Sequence, residues 1–435
     1  MISLPFSIMT FHPEPRFPVE ILDLFVDEIA NFHDLDARAT TLSTCSLVSR
    51  SFAHRARKHI FRSIELSEWD GDTLLRAQRL YDILIWTSST PGRLMNVAPL
   101  VKEFLLDCES LPNPEEVEGI VVLDELGVDF RCSLINLFRS PRLKYLHLHG
   151  LQEVPKTLLL GTHIQVLVLE DISCTDRVDT PCEAFLSPES LHGASYPQLV
   201  DLALDGPYWS YLPLLENKGN AVPGPKTSAL TGLHKLSVVI NDEEDYAWMS
   251  AILMRTQESL EDLSIIYGFG SPDDAAPAML QDPIDLSSMK QLHSIHVDHL
   301  GDGQRLIEAL HSSELLFDTL TISNTLKTLD LGFFVDLSLN EEHQNAYTTM
   351  AAFIATLVEP SENNVWETLN EIFATKFRRL EQVEINLGFM EDGPGTPVVD
   401  HEFADIAKEL IRSTLPFFSK NTGHVPRLKV EVAED

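Results

Sequence analysis

Leu143-Lys144-Tyr145-Leu146-His147-Leu148, Leu199-Val200-Asp201-Leu202-Ala203-Leu204 and Leu260-Glu261-Asp262-Leu263-Ser264-Ile265 share one phrase. An apolar residue is followed by two others, a second apolar residue, one other, and a third apolar residue. The phrase recurs at Val101–Leu106, Ile164–Leu169, Leu233–Val238, Leu292–Val297, Leu326–Leu331 and Leu380–Ile385, and a final strand is expected over Leu428–Val432. Its second half alternates with the period of a strand that buries one face. Nine recurrences of one strand pattern predict a repeat architecture, in which each unit buries its apolar side against its neighbours.

The spacing of the phrases is uneven, from 21 residues (Leu143 to Ile164) to 54 (Leu326 to Leu380), so helices or loops of varied length are expected between strands. Helical patterns are expected over 342–357 and from His401 to Phe417, where Ala404, Ala407, Ile411 and Leu415 share a face. Pro, Gly and acidic residues mark loops at Ser173–Pro197, Glu216–Ser228, Gly268–Asp285 and Glu391–Val399.

Strand alternation sends the intervening residues of each phrase to the opposite face. The candidate partner-binding residues on that face are Glu103, Tyr145, His147, Glu170, Asp201, Asp262, His296, Asp330 and Glu384. Lys235 is the one cation in the column, which suits the face to a basic segment of a target protein. The competing reading is ordinary acidic solvation, with Asp107, Asp205 and Asp298 starting turns at strand ends.

Upstream of the phrases, Phe17 to Leu66 reads as three short helices. Leu22, Phe25, Val26 and Ile29 fall on one face of the first, with Pro18 at its start and Glu20 and Asp23 in its first turn. A polar break, Asn31 to Arg38, leads to a second helix with Leu42, Cys45, Leu47 and Val48. The third, about 51–61, places Phe52, Ala56 and Ile60 together, beside a basic cluster of Arg50, Arg55, Arg57, Lys58 and Arg62. Three helices of this length bury little surface alone. A partner, or a role as cap on the rest of the chain, is expected.

Phe17-Pro18-Val19-Glu20-Ile21-Leu22, then Leu42, then Leu47-Val48-Ser49-Arg50-Ser51-Phe52, resembles the F-box pattern. That pattern opens Leu-Pro-x-Glu-(Ile/Leu)-(Ile/Leu) and continues Leu-x-x-x-x-Leu-Val-Cys-(Arg/Lys)-x-Trp. Arg57 to Ile64 is similar to the close of F-boxes in mushroom-type fungi, and the repeated phrase resembles the strand of leucine-rich repeats. The departures are Phe17 for Leu, Ser49 for Cys, Phe52 for Trp, and a longer first inter-helix break. The resemblance implies an α/β protein: a tail over 1–15, a three-helix F-box over 16–66, and an irregular leucine-rich-repeat solenoid over 67–435. Such a solenoid carries a curved parallel sheet on its concave face, with helices and loops outside.

The family implies a non-enzymatic substrate receptor of a cullin–RING ubiquitin ligase of the SCF type. It would bind a Skp-type adaptor, and through it a cullin, with Pro18, Ile21, Leu22, Phe25, Leu42, Leu47 and Val48 as contacts. The alternative is a stand-alone repeat scaffold whose first helices only cap the solenoid.

The formal net charge is −34 and the pI about 4.7, which repels phosphate polymers and anionic bilayers, so neither nucleic acid nor membrane is expected as a partner. Five cysteines (Cys45, Cys108, Cys132, Cys174 and Cys182) include no C-x-x-C pair, pointing to reduced thiols in the cytoplasm or nucleus. Met1 to Phe11 is apolar but lacks a basic start and is interrupted by Pro5, unlike a signal peptide. No stretch reaches the roughly 18–20 unbroken apolar residues of a membrane span. The G-x-S-x-G, Walker and dinucleotide fingerprints do not occur. His401-Glu402 opens like a zincin motif, but Asp405 stands where the second His is needed. His147 with His149, and His293, His296 and His299, read as surface imidazoles. No cofactor, metal or catalytic constellation is expected.

Overall fold

A computed structural model describes residues 18–66, 79–80, 83, 97–108, 121–122, 128–175, 194–206, 208–216, 228–241, 243–268, 284–301, 303–321, 325–336, 365–377, 379–390, 401–415 and 427–432. The tail, Phe17, Cys182, the helix expected over 342–357 and most of the four expected loops lie outside them.

The chain begins with helices α1 (Val19–Ala30), α2 (Leu35–Val48) and α3 (Arg50–Ile60). Pro18 caps α1 from outside: its carbonyl accepts from the Ile21 and Leu22 amides at 3.0 and 3.3 Å. Asp34 caps α2, its Oδ1 accepting from the Ala37 amide at 2.9 Å. The polar break read from Asn31 to Arg38 therefore ends at Asp34, because the capping carboxylate starts the helix within that polar run. Ser49, in an extended conformation, ends α2 and caps α3, with Oγ accepting from the Phe52 amide at 3.3 Å. Val26, Ile29, Leu42, Cys45 and Ala56 form a small core, with Ala30, Phe52 and Ile60 packed against it.

An ionic clasp holds α1 to α3. Arg55 grips both carboxylate oxygens of Asp27, through Nε at 2.6 Å and through Nη2, and the His59 Nε2 lies 2.8 Å from Asp27 Oδ1. The Arg55 hydrogen bonds hold the Asp27 carboxyl down at about 2, against the opposing effect of burial.

From Ser63 the chain enters a sheet of eleven parallel strands arranged in chain order. They are β1 (Ser63–Leu66), β2 (Glu103–Asp107), β3 (Tyr145–His149), β4 (Val166–Glu170), β5 (Asp201–Asp205) and β6 (Lys235–Ile240). Then come β7 (Asp262–Tyr267), β8 (Ser294–Gly301), β9 (Thr328–Asp336), β10 (Gln382–Met390) and β11 (Arg427–Val432). The register aligns the phrases: Leu146, Leu167, Leu202, Leu236, Leu263, Ile295, Leu329 and Val383 form one row across the sheet. The first apolar residue of every phrase, from Val101 to Leu380, is at most 1% exposed. Ser63–Leu66, grouped above with the helical module, is the first strand. It joins the sheet directly, because the Arg62 carbonyl accepts from the Lys102 and Glu103 amides at 2.8 and 3.1 Å.

Between strands stand a 3-10 turn (Ala98–Leu100) and the α-helices α4 (Val128–Phe138), α5 (Tyr208–Leu215), α6 (Glu243–Thr256), α7 (Gly303–Thr319), α8 (Val365–Lys376) and α9 (His401–Thr414). Their buried residues, among them Leu137, Tyr211, Leu253, Phe317, Trp366 and Ile411, share one core with the inward strand residues. That core runs from Leu66 to Leu415. The side chains on the opposite face are mostly half-buried, with Lys235 and Arg427 exposed.

Three consecutive strands end in the same left-handed turn, at Gly150, Asp171 and Gly206, with φ of 67°, 49° and 96°. At Gly206 a Cβ would lie 2.7 Å from Asp171 Oδ1 and 3.0 Å from the Tyr211 hydroxyl, so both φ and space require glycine. His299, read from sequence as a surface imidazole, is fully buried. Strand β8 continues past the phrase, and this puts His299 in the inward row between Tyr267 and Phe333. No helix among the described residues is long and apolar enough to cross a membrane.

Candidate protein-binding surfaces

The N-terminal helices divide their apolar residues between inside and outside. Ile21, Leu24 and Phe25 of α1 are 51, 63 and 59% exposed, and Leu47 and Val48 at the end of α2 are 86 and 66% exposed. Ile21, Leu24 and Phe25 are spaced to share one helix face, turned away from the face that buries Val26 and Ile29. Of the seven residues expected to touch an adaptor, Pro18, Ile21, Phe25, Leu47 and Val48 are exposed and Leu22 is half-buried. Leu42 is only 3% exposed and lies in the module's own core, so it supports the surface from beneath and makes no contact. Leu42 and Cys45, three residues apart, line the inner face of α2, and Leu47 lies across the helix. Leu24 was missed. Its spacing from Ile21 marks it as part of the same face.

On the open face of the sheet the nine expected residues lie on strands β2 to β10. They form several local groups. Glu103 stands in register beside Tyr145 and is paired to Arg62 at 3.4 Å. The His147 Nε2 lies 3.0 Å from Glu170 Oε2, and His149, beside it on β3, is 3.1 Å from Asp107. The His147 ring beside it lowers the Glu170 carboxyl, outweighing burial. Burial, reinforced by the Glu170, Glu103 and Asp201 charges, raises the Tyr145 phenol.

In the middle of the sheet Asp201, Lys235 and Asp262 are register neighbours. Lys235 gives its ammonium to Asp262 at 3.2 Å. Asp201 has no cation within ion-pair distance among the described residues, and burial pushes its carboxyl up. Burial also raises Asp205, helped by Asp171 and Glu170.

The far third of the face is a polar lattice. His296 Nε2 meets Asp298 Oδ2 at 2.7 Å, and its Nδ1 meets Asp330 Oδ2 at 2.8 Å. Two carboxylate acceptors on one ring demand two N–H donors, so the ring is an imidazolium. The Asp298 and Asp330 hydrogen bonds raise it to about 10. Asn386 donates to Asp330 at 2.8 Å, and Lys429 donates to Glu384 at 2.6 Å. Lys429 and Arg427, in register with Glu384 and Gln382, add cations to the face. The alternation of Leu428 and Val430 in the expected last strand carries the signal for Lys429.

Among the described residues no group of three or more His, Cys, Asp or Glu side chains could hold a metal ion. Cys45, Cys108, Cys132 and Cys174 are in no disulfide, and burial raises the Cys174 thiol to about 12. A cleft of about 510 Å³ opens where the helices meet the sheet, lined by residues that include Asn31, His33, Arg38, Arg62 and Glu103. The molecule thus presents exposed apolar side chains on a helical unit with its own core, and a broad, mostly half-buried ionic face on the sheet. Neither a model of a known protein family nor a curated protein sequence matches the chain.

Proposed function

We propose that the chain is the substrate-recognition subunit of an SCF-type ubiquitin ligase. Helices α1 to α3 dock on a Skp-type adaptor, which links the chain to a cullin, and the open face of the sheet receives a target protein. The observation that carries this reading is the exposure of Ile21, Phe25, Leu47 and Val48, at F-box positions, on a unit whose own core is already closed. Such side chains add nothing to the module's internal packing, and apolar anchors of this kind dominate binding energy at interfaces.

The finer fold reading is an irregular leucine-rich-repeat solenoid, with the open face as its concave side. Parallel strands in chain order and inward phrase residues in register support it. The protein would work without catalytic chemistry of its own, by raising the target's effective concentration near the conjugating enzyme, in the cytoplasm or nucleus. Neither nucleic acid nor membrane is part of the reading. Asp201 and Asp205, which lack a cationic partner within ion-pair distance among the described residues, support a target with basic segments.

A second reading is favoured by the direct join of α3 to β1 through the Arg62 carbonyl: the helices act only as the cap of a stand-alone scaffold. Co-expression with a fungal Skp-type adaptor, followed by size-exclusion chromatography, separates the two. The receptor reading expects one co-eluting complex that Leu47→Asp with Val48→Asp abolishes. Two separate folded proteins would leave the scaffold.

A further inference from the structure

The basic cluster of α3 is divided by the fold into two halves with different fates. Arg55 and His59 face α1 and are taken up by Asp27, and Arg62 is paired to Glu103. Arg50, His54, Arg57 and Lys58 remain. Their spacing, i, i+4, i+7 and i+8, puts them along one stripe of α3, opposite the face that packs Phe52, Ala56 and Ile60 against the module's core. Arg50 and His54 are exposed, Arg57 and Lys58 are half-buried, and none of the four has a carboxylate partner among the described residues.

The helix dipole accounts for Arg57 and Lys58, which lie in the last turn, where cations are favoured. It opposes Arg50, which stands in the first turn at the positive end. No residue from Arg50 to Arg62 is acidic, in a chain whose net charge is −34. Arg50 and His54 are left without a local explanation, and four basic side chains with no carboxylate partner among the described residues, on an otherwise anionic molecule, mark a surface that meets an anionic partner.

We infer that the outer stripe of α3 is a docking site for an acidic segment of a partner polypeptide. Arg50 lies two residues from Val48, so the stripe adjoins the apolar residues proposed to meet an adaptor, and the test is made on the chain alone, with no adaptor present. From Arg50 to Lys58 it spans about 12 Å at 1.5 Å per residue, the length of roughly four residues of extended chain. A run of about four Asp or Glu residues therefore matches it in length as well as sign. Long polyanions fit less well, because a phosphate polymer or an anionic bilayer would also face the carboxylates of the rest of the chain. A short segment approaches within about one Debye length of the stripe and is screened from the rest.

The test uses the purified full-length chain and a fluorescein-labelled peptide of four consecutive glutamates between Gly-Ser flanks, read by fluorescence anisotropy. Saturable binding is expected at about 50 mM salt, weakening steeply towards about 300 mM. The triple variant Arg50→Glu, Arg57→Glu, Lys58→Glu should weaken it at least about tenfold, while Lys290→Glu with Lys327→Glu, far along the chain, should leave it unchanged. Circular dichroism and thermal melting check the fold. If the reversal unfolds the helices, Arg50→Gln with Arg57→Gln is the substitute and should still weaken binding. No binding by the folded wild-type chain, equal binding by the variants, or tighter binding of an RNA oligonucleotide or of phosphatidylserine vesicles would each overturn the inference.

Discussion

His299 occupies an inward row of the sheet, stacked against Tyr267 at 4.9 Å and Phe333 at 5.4 Å between ring centroids. Its Nε2 meets the Ser313 hydroxyl of α7 at 2.8 Å, and burial lowers it to about 3 from 6.5, so the ring is neutral. Unfolding lets it take a proton. Its share of stability is therefore complete above pH 6.5 and is lost as pH falls towards about 3. A denaturation series from pH 7 to pH 4 should show a slope that includes about 1.4 kcal/mol per pH unit from this residue, and His299→Phe should flatten it. An unchanged slope in the variant would refute the neutral, buried assignment. His296 behaves oppositely. Its contribution is complete below pH 6.5 and is lost as pH rises through about 10, so its ring resonances should titrate near 10 in NMR, against 6.5 for a free histidine. Gly332 lies opposite Asp298 in the register, and a Cβ there would come within 2.0 Å of Asp298 Oδ1 and 2.5 Å of Phe334 Cε2. Gly332→Ala should cost about 1–3 kcal/mol in denaturant melts and return the His296 titration towards its ordinary range.

The helical module separates packing from display, and substitutions should sort accordingly. Leu42→Ala empties part of a five-residue core and should cost about 2–5 kcal/mol in module stability, seen as a lower unfolding midpoint. Leu47→Asp changes a side chain that is 86% exposed and should shift stability by no more than about 0.5 kcal/mol. Equal destabilisation by the two would remove the distinction between core and surface. The pairing of Asp27 with Arg55 is complete above pH 3.8 and weakens as pH falls through about 2. The three helices were legible because their apolar residues recur at helical spacing. The start of α2 was not, since its first turn carries Asp36 and Arg38, and only the hydrogen bond from Ala37 to Asp34 marks where the helix begins. The five-residue spacing sets Leu47 across the helix from Leu42, but which of the two faces turns inward was not legible, because both carry apolar residues and only three-dimensional packing decides.

Across the whole molecule the strand phrases carried most of the fold, because each repeats the same three inward residues and parallel pairing keeps them in register. Strand β1 escaped notice: Ser63–Leu66 has only four residues and lacks the phrase. The longer β8, β9 and β10 also outrun it, which is why His299 was misassigned. The open face was legible as a column of residues but not as a set of ion pairs. Partners such as His296 with Asp330, or Lys429 with Glu384, come from different strands and meet only through the register. Its acidity is consequently lower than the count of carboxylates implies, and Asp201 and Asp205 are where it persists. The central claim is that the exposed apolar residues of α1 and α2 exist to bind an adaptor. Isothermal titration of the purified chain with a Skp-type adaptor tests it most directly, with Leu47→Asp and Lys290→Glu titrated in parallel. Binding that Leu47→Asp weakens by at least about 2 kcal/mol, and that Lys290→Glu leaves alone, is the predicted result. The absence of heat from a folded wild-type chain, or equal affinity in all three, would contradict it.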